Sequence, residues 1–255
     1  MPNNPKYMIV DISSPFHDVT NLMVTLQKTD YFTILRTRPG IASSPETRIR
    51  LGHLESSRTG VPQAVGLQFM TLFADGNVLA IHRAKDTFPW PDTWSFSGEE
   101  QCADIDLAWD APDRMKRFLL RTAVEEIFPL ARIAKKDALA RAMAFIEPYI
   151  RSMQTWSIFF EEPTVTLQFF SVFELSLTVA QYAEIVCNLV QEGIGTMSHE
   201  GQYYAASLRD IESLLSGNSV PVTPLFGGDE TQISPTALHP TSRYRLLRLL
   251  DHYSA

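Results

Sequence analysis

The chain has 255 residues and a formal net charge of −7, with 45% of its residues hydrophobic and 20% charged. That is an ordinary globular composition, long enough for one large domain or one domain with flanking extensions. The acidic balance excludes a nucleic-acid duplex or an anionic membrane as the main partner, since either demands a basic surface. It leaves open a nucleotide-like small molecule held by a metal ion and a few local Arg or Lys side chains.

The two cysteines, Cys102 and Cys187, make neither a disulfide framework nor a metal-ligand pair. No secretory leader, lipidation signal or bilayer-length apolar run can be read, so the expected location is the cytoplasm.

Residues 1–60 read as a strand-containing N-terminal extension, a cap or dimer arm. KYMIVDI and YFTILRT have strand character, and PGIASSPETR reads as loop. Arg36, Arg38, Arg48, Arg50 and Arg58 make this extension locally basic. Scattered surface arginines are the simplest account, with phosphate contacts or a homodimer surface as the alternative.

Two strand-like runs follow, Val65–Phe73 (VGLQFMTLF) and Val78–Ala84 (VLAIHRA), joined by Ala-Asp-Gly-Asn, a good hairpin turn. Arg83 closes the second run and faces either a site or solvent. Phe88, Pro89, Trp90, Pro91 and Trp94 form an aromatic and proline cluster. Such rings can stack a nucleobase, but they also anchor loops and core, which is the preferred reading.

The next stretch, WSFSGEEQCADIDLAWDAPDRMKRFLLRTAVEEIFPL from Trp94 to Leu130, carries the candidate chemistry. Glu99 and Glu100 follow Gly98. Asp104, Asp106 and Asp110 then read as a solvated acidic loop, with Asp110 capping a helix whose first turn holds Pro112 and Asp113. At about 100° per residue, Leu119, Leu120, Ala123, Val124 and Ile127 form one apolar arc. Arg121, Thr122, Glu125 and Glu126 form the opposite one, with Arg121 and Glu125, and Thr122 and Glu126, as i,i+4 neighbours. Helix pattern alone makes those acids a solvated outer face. Two adjacent carboxylates on a rigid support can also ligate Mg²⁺ or Mn²⁺.

Taken whole, the stretch resembles the Nudix box, Gly-x5-Glu-x7-Arg-Glu-U-x-Glu-Glu-x-Gly-U, with U aliphatic. Arg121 to Glu126, RTAVEE, matches its core, except that Thr122 stands where the family has another glutamate. Phe128 and Pro129 replace the closing glycine and aliphatic residue, and TWSFSGEE leads in with Gly98 as the box glycine. The loop from Gly98 to Arg121 is longer than the motif prescribes. Hairpin, extended Trp segment, glycine and helix come in the order expected of Nudix domains, over residues 61–215.

The resemblance implies an α/β fold, a Nudix-like α/β/α sandwich with a mixed β-sheet, bearing N-terminal and C-terminal extensions. It implies Mg²⁺ or Mn²⁺ on Glu125 and Glu126, with Glu99 and Glu100 as further metal ligands and Arg121 orienting the glutamates. Gly98, Arg83 and Trp94 fall where substrate is bound. One of Asp104, Asp106 and Asp110 is an alternative replacement for the ligand lost at Thr122.

After the box, KKDALARAMAFIEPYIRSM is helical in period, with a break at Pro148. TWSIFFEE and TVTLQFFSVFELSL read as strands about a turn at Glu161, Glu162 and Pro163, and VAQYAEIVCNLVQEG as a helix stopped by Gly193. Nudix enzymes often take a later loop carboxylate as general base or extra ligand. Glu200, beside His199, is the positional candidate, and Ser207 lies near the start of a short helix. Residues 216–255 read as a Pro/Gly-rich connector, Pro221 to Pro240, and a helix capped by Thr241 or Ser242. Its leucines supply docking surface, and Arg243, Arg245 and Arg248 its basic part.

The function so implied is hydrolysis of a pyrophosphate linkage in a nucleoside-diphosphate-containing small molecule. The alternative is a catalytically weakened nucleotide-binding or regulatory module, which Thr122, Phe128, Pro129 and the stretched loop favour. A pure interaction scaffold is a third reading. No Gly-x-Ser-x-Gly elbow, Walker A loop, Rossmann fingerprint or zinc spacing offers a rival chemistry.

Overall fold

A computed structural model describes residues 5–13, 23–30, 65–87, 90–107, 114–128, 136–161, 166–193 and 201–253. The chain divides into two compact units. One holds Met1–Leu67, Glu100–Phe118 and Trp156–Phe170; the other holds Gln68–Glu99, Leu119–Thr155 and Ser171–Ala255.

In the first unit, strands β1 (Pro5–Ser13) and β2 (Met23–Asp30) pair antiparallel, with a register shift between Ile9 and Asp11. The expected strand in KYMIVDI is therefore present, whereas YFTILRT and the five arginines lie outside the described residues. Strand β3 (Val65–Leu72) is buried along its whole length, as a near-continuous apolar run should be. It turns at the expected place into β4 (Asn77–Arg83), with the Phe73 amide donating to Asn77 O at 2.9 Å.

Two short strands follow, β5 (Trp94–Phe96) and β6 (Glu99–Gln101), then helices α1 (Asp104–Leu107) and α2 (Arg114–Thr122). The acidic loop is thus partly helical. Asp106 is buried and accepts from the Ala103 amide at 2.8 Å, and Asp104 pairs with Lys28 at 2.7 Å and accepts from the Tyr7 hydroxyl. Those bonds hold the Asp104 carboxyl below its usual range and push the Tyr7 hydroxyl up to about 12. Asp110, Pro112 and Asp113 fall outside the described residues.

Helix α3 (Lys136–Ile146) ends in a single 3₁₀ turn at Glu147–Tyr149, the break expected at Pro148. Beyond the turn the chain opens strand β7 (Ile150–Glu161), which is followed by β8 (Thr166–Leu175). Helix α4 (Val179–Gln191) opens on a reciprocal cap: Thr178 Oγ1 accepts from the Gln181 amide, and Gln181 Oε1 from the Thr178 amide. It stops before Gly193, which sits at φ 69°.

Strand β9 (Gly201–Ser207), helix α5 (Ile211–Leu215), strands β10 (Val220–Pro224) and β11 (Thr231–Ile233), and helix α6 (Pro240–Tyr253) complete the described chain. Among the described residues, nine strands form one sheet in the order β11-β10-β9-β4-β3-β8-β7, with β5 added on β4 and β6 on β3. The fold class is α/β, as expected.

The stretch expected as a connector supplies β10 and β11 to this sheet. Val220 and Val222 are buried while Pro221 and Thr223 face out, the period of a half-buried strand. Strand β9 lies so close to β4 that a Cβ at Gly201 would come within 2.3 Å of His82 O. Only glycine fits there.

Candidate active site

The last turn before Phe128 does not continue the α-helix. Residues Ala123–Ile127 form a π-helical turn, closed by the Phe128 amide donating to Ala123 O at 2.8 Å. Such widened turns are frequent at functional sites. The expected apolar arc of Leu119, Leu120, Ala123, Val124 and Ile127 is buried, each at 5% exposure or less.

The expected outer arc needs correction. Arg121 and Thr122 are buried as well, at 4% and 0%, because this helix end is enclosed on more than one side. Glu125 and Glu126 remain half-buried. The turn is fastened by Tyr182, fully buried on α4, whose hydroxyl donates to Ile127 O; burial pushes its ionisation above the ordinary range for tyrosine.

Arg121 Nη1 donates to Glu125 Oε2 at 2.6 Å, the expected i,i+4 pair, with the guanidinium enclosed and the carboxylate 30% exposed. A charge-assisted bond of this length fixes the Glu125 rotamer. Gly98 meets Glu126 across the fold. A Cβ at Gly98 would lie 3.6 Å from Glu126 Oε2 and only 2.8 Å from Phe69 Cζ. A side chain at Gly98 would thus run into a core ring, itself held edge-on against Phe173 at 5.6 Å.

Next to it, Glu99 is ringed by polar groups: Arg83 Nη1 at 3.6 Å, Gln68 Nε2 at 3.5 Å and His239 Nε2 at 3.9 Å. Arg83 thus turns inward, its side chain 11% exposed. His239 is 1% exposed, and burial, with the charges of Arg245 and Arg83, pushes its ionisation down to about 3. Its Nδ1 lies 2.9 Å from Thr241 Oγ1 and 3.3 Å from the Thr241 amide, and its Nε2 stands 3.9 Å from Glu99 Oε1.

Glu100 belongs to the first unit, where it accepts from the Gln101 amide at 2.6 Å. Trp94 is 5% exposed, stacked on His82 at 4.6 Å and edge-on to Tyr204 at 4.9 Å, so its ring serves packing. Glu200 and His199 lie outside the described residues.

Sequence reasoning missed His239 and Arg245. The helix of Arg245 starts at Pro240, so Thr241 and Ser242 sit inside its first turn, both buried. Arg245, expected on a basic surface, is 1% exposed. Its Nη1 donates to Gly98 O at 3.0 Å and Phe69 O at 3.3 Å, and its Nη2 to Ser95 Oγ at 3.0 Å, Ser242 Oγ at 3.2 Å and Thr241 Oγ1 at 3.3 Å.

Among the described residues no three His, Cys, Asp or Glu side chains converge as a metal-binding group. The oxygen donors present, Glu125 and Glu126 on one turn, fit an ion of the Mg²⁺ type. Such ions are commonly held by one or two carboxylates and fill their shell with waters and substrate phosphates. Among the described residues, too, no helix is long and apolar enough to cross a membrane.

No protein-family model matches this sequence, and no curated protein matches it. Among solved structures, two of a bifunctional NMN adenylyltransferase/ADP ribose pyrophosphatase from Francisella tularensis, one complexed with AMP and Mn, align with 82% of this chain at 10% identity. Their TM-scores are 0.39 and 0.38, and this chain spans about half their length, 47% and 46%. A Deinococcus radiodurans protein aligns over 51% of this chain and 80% of its own, at 15% identity and TM-score 0.26. Likeness at this level leaves the family to be tested by chemistry.

Proposed function

We propose that the protein is a Nudix-type, metal-dependent hydrolase that cleaves a pyrophosphate linkage in a nucleoside-diphosphate-containing small molecule. One observation carries the reading. Gly98 and Glu126, far apart in sequence, lie against each other, on a turn whose neighbouring Glu125 is clamped by a buried Arg121. A bound Mg²⁺ would neutralise phosphate charge and lower the pKa of a water.

The chain's own residues do the rest. Arg121 fixes Glu125, and Gly98, with no Cβ, leaves room for Glu126 beside it. Arg83 offers a guanidinium beside Glu99, able to turn towards an incoming phosphate. With two carboxylates rather than three or four, Glu125 and Glu126 would hold such an ion weakly, and substrate phosphate oxygens would complete its shell. Losing one partner from a tuned site weakens metal affinity by about 10–100-fold.

The second reading, a binding module without turnover, is favoured by Thr122. It is wholly buried where the resemblance asks for another acid. A panel of nucleoside triphosphates, dinucleoside polyphosphates, ADP-ribose and NAD, with Mg²⁺ or Mn²⁺, separates the two. Turnover lost in Glu125→Gln and Glu126→Gln supports the hydrolase. Saturable binding with no product from any of them leaves the module.

A further inference from the structure

We infer that Arg245, on the C-terminal helix beyond the box, is a positioning residue for the site: it holds the Gly98 turn in the place that spaces Glu126. The inference rests on the metal-dependent reading of Glu125 and Glu126. A guanidinium at 1% exposure is stable only if its donors are met. Here the Nη1 and Nη2 donors meet oxygens of the site's own scaffold. Gly98 O accepts from Arg245 Nη1 at 3.0 Å and from the Phe69 amide at 3.1 Å, so one carbonyl is gripped from both sides.

The rest of the helix start acts on the same segment. Ser242 Oγ accepts from the Phe96 amide at 3.1 Å, and the His239 amide donates to Trp94 O at 2.8 Å. The first turn of α6 therefore supplies partners along Trp94–Gly98, where β5 is only three residues long. An arginine that merely filled space would need no carbonyl of the glycine turn. This one is bonded to the residue whose missing Cβ lets Glu126 approach.

The test is Mn²⁺ binding by electron paramagnetic resonance on the full chain, beside melting curves and amide exchange over residues 94–101. Arg245→Met should stay folded, exchange faster over that segment alone, and bind Mn²⁺ about 10-fold or more weaker, the scale for losing an outer partner of a metal site. Arg245→Lys keeps a donor for Gly98 O and should restore most of the affinity. Should Arg245→Met not fold, Ser242→Ala replaces it, with the same segment-limited exchange and weaker binding expected.

Glu126→Gln keeps the two ideas apart. If it loses Mn²⁺ while folded Arg245→Met or Ser242→Ala binds as the parent does, Arg245 does not position the site and the metal reading stands. If Glu126→Gln binds as well as the parent, or neither binds, the metal reading itself is wrong.

Discussion

Lowering the pH should destabilise this protein through His239. The ring is 1% exposed, and its ionisation is pushed from the ordinary 6.5 down to about 3, first by burial and then by Arg245 and Arg83. In the unfolded chain His239 takes up a proton as pH falls below 6.5; in the folded chain it stays neutral until about 3. The unfolded state thus binds more protons across that window, and folding stability falls with pH. Each pH unit between the unfolded and folded ionisations is worth about 1.4 kcal/mol, so the full depression amounts to something on the order of 5 kcal/mol. Urea unfolding of the parent and of His239→Gln, which cannot titrate, gives the measurement. The difference between them should be level above about pH 7 and fall at up to about 1.4 kcal/mol per pH unit below it. A difference that stays constant from neutral to acid pH would refute the reasoning.

Two further expectations follow from packing. Gly98→Ala drives a methyl to 2.8 Å from Phe69 Cζ in a fully enclosed core. Overpacking there should cost about 1–3 kcal/mol, seen as a lower melting temperature, and an unaltered melt would show that the turn has room. Thr122→Glu restores the acid of the Nudix pattern at a position with 0% exposure. Burying an uncompensated carboxylate should cost several kcal/mol, about 2–4 °C each in a protein of this size. Recovery of the melt by Mn²⁺, measured calorimetrically, would mean that the new carboxylate reaches the ion, and no recovery that it points into the core.

Much of the fold was legible because local rules and tertiary packing agree. VGLQFMTLF and VLAIHRA around a turn, Pro148 as a break and Gly193 as a stop each follow from backbone chemistry alone. The apolar arc of Leu119, Leu120, Ala123, Val124 and Ile127 was readable for the same reason. The burial of Arg121 and Thr122 was not, since periodicity reports one face and cannot say that a second is covered. Nor does composition distinguish a π turn from the α-helix it interrupts; the Phe128 amide must be seen on Ala123 O.

Strands β9 to β11 escaped because they are short and carry Gly, Pro and Ala, and their strand character comes from neighbours in the sheet. Arg245 escaped for a related reason. Within RLLRLL, an arginine reads as the wet side of a helix, and its partners Gly98 and Phe69 lie far away in sequence. The sequence did carry one signal: Thr241, Ser242 and Arg245 recur at helical spacing, a polar stripe suited to a buried bonding network.

The most direct test is the position of an ion. Crystals grown with Mn²⁺ and ADP-ribose should show an anomalous peak within about 2.5 Å of a carboxylate oxygen of Glu125 or Glu126, with phosphate oxygens completing the shell beside Gly98. A peak elsewhere, or bound nucleotide with no ion at the π turn, would contradict the account.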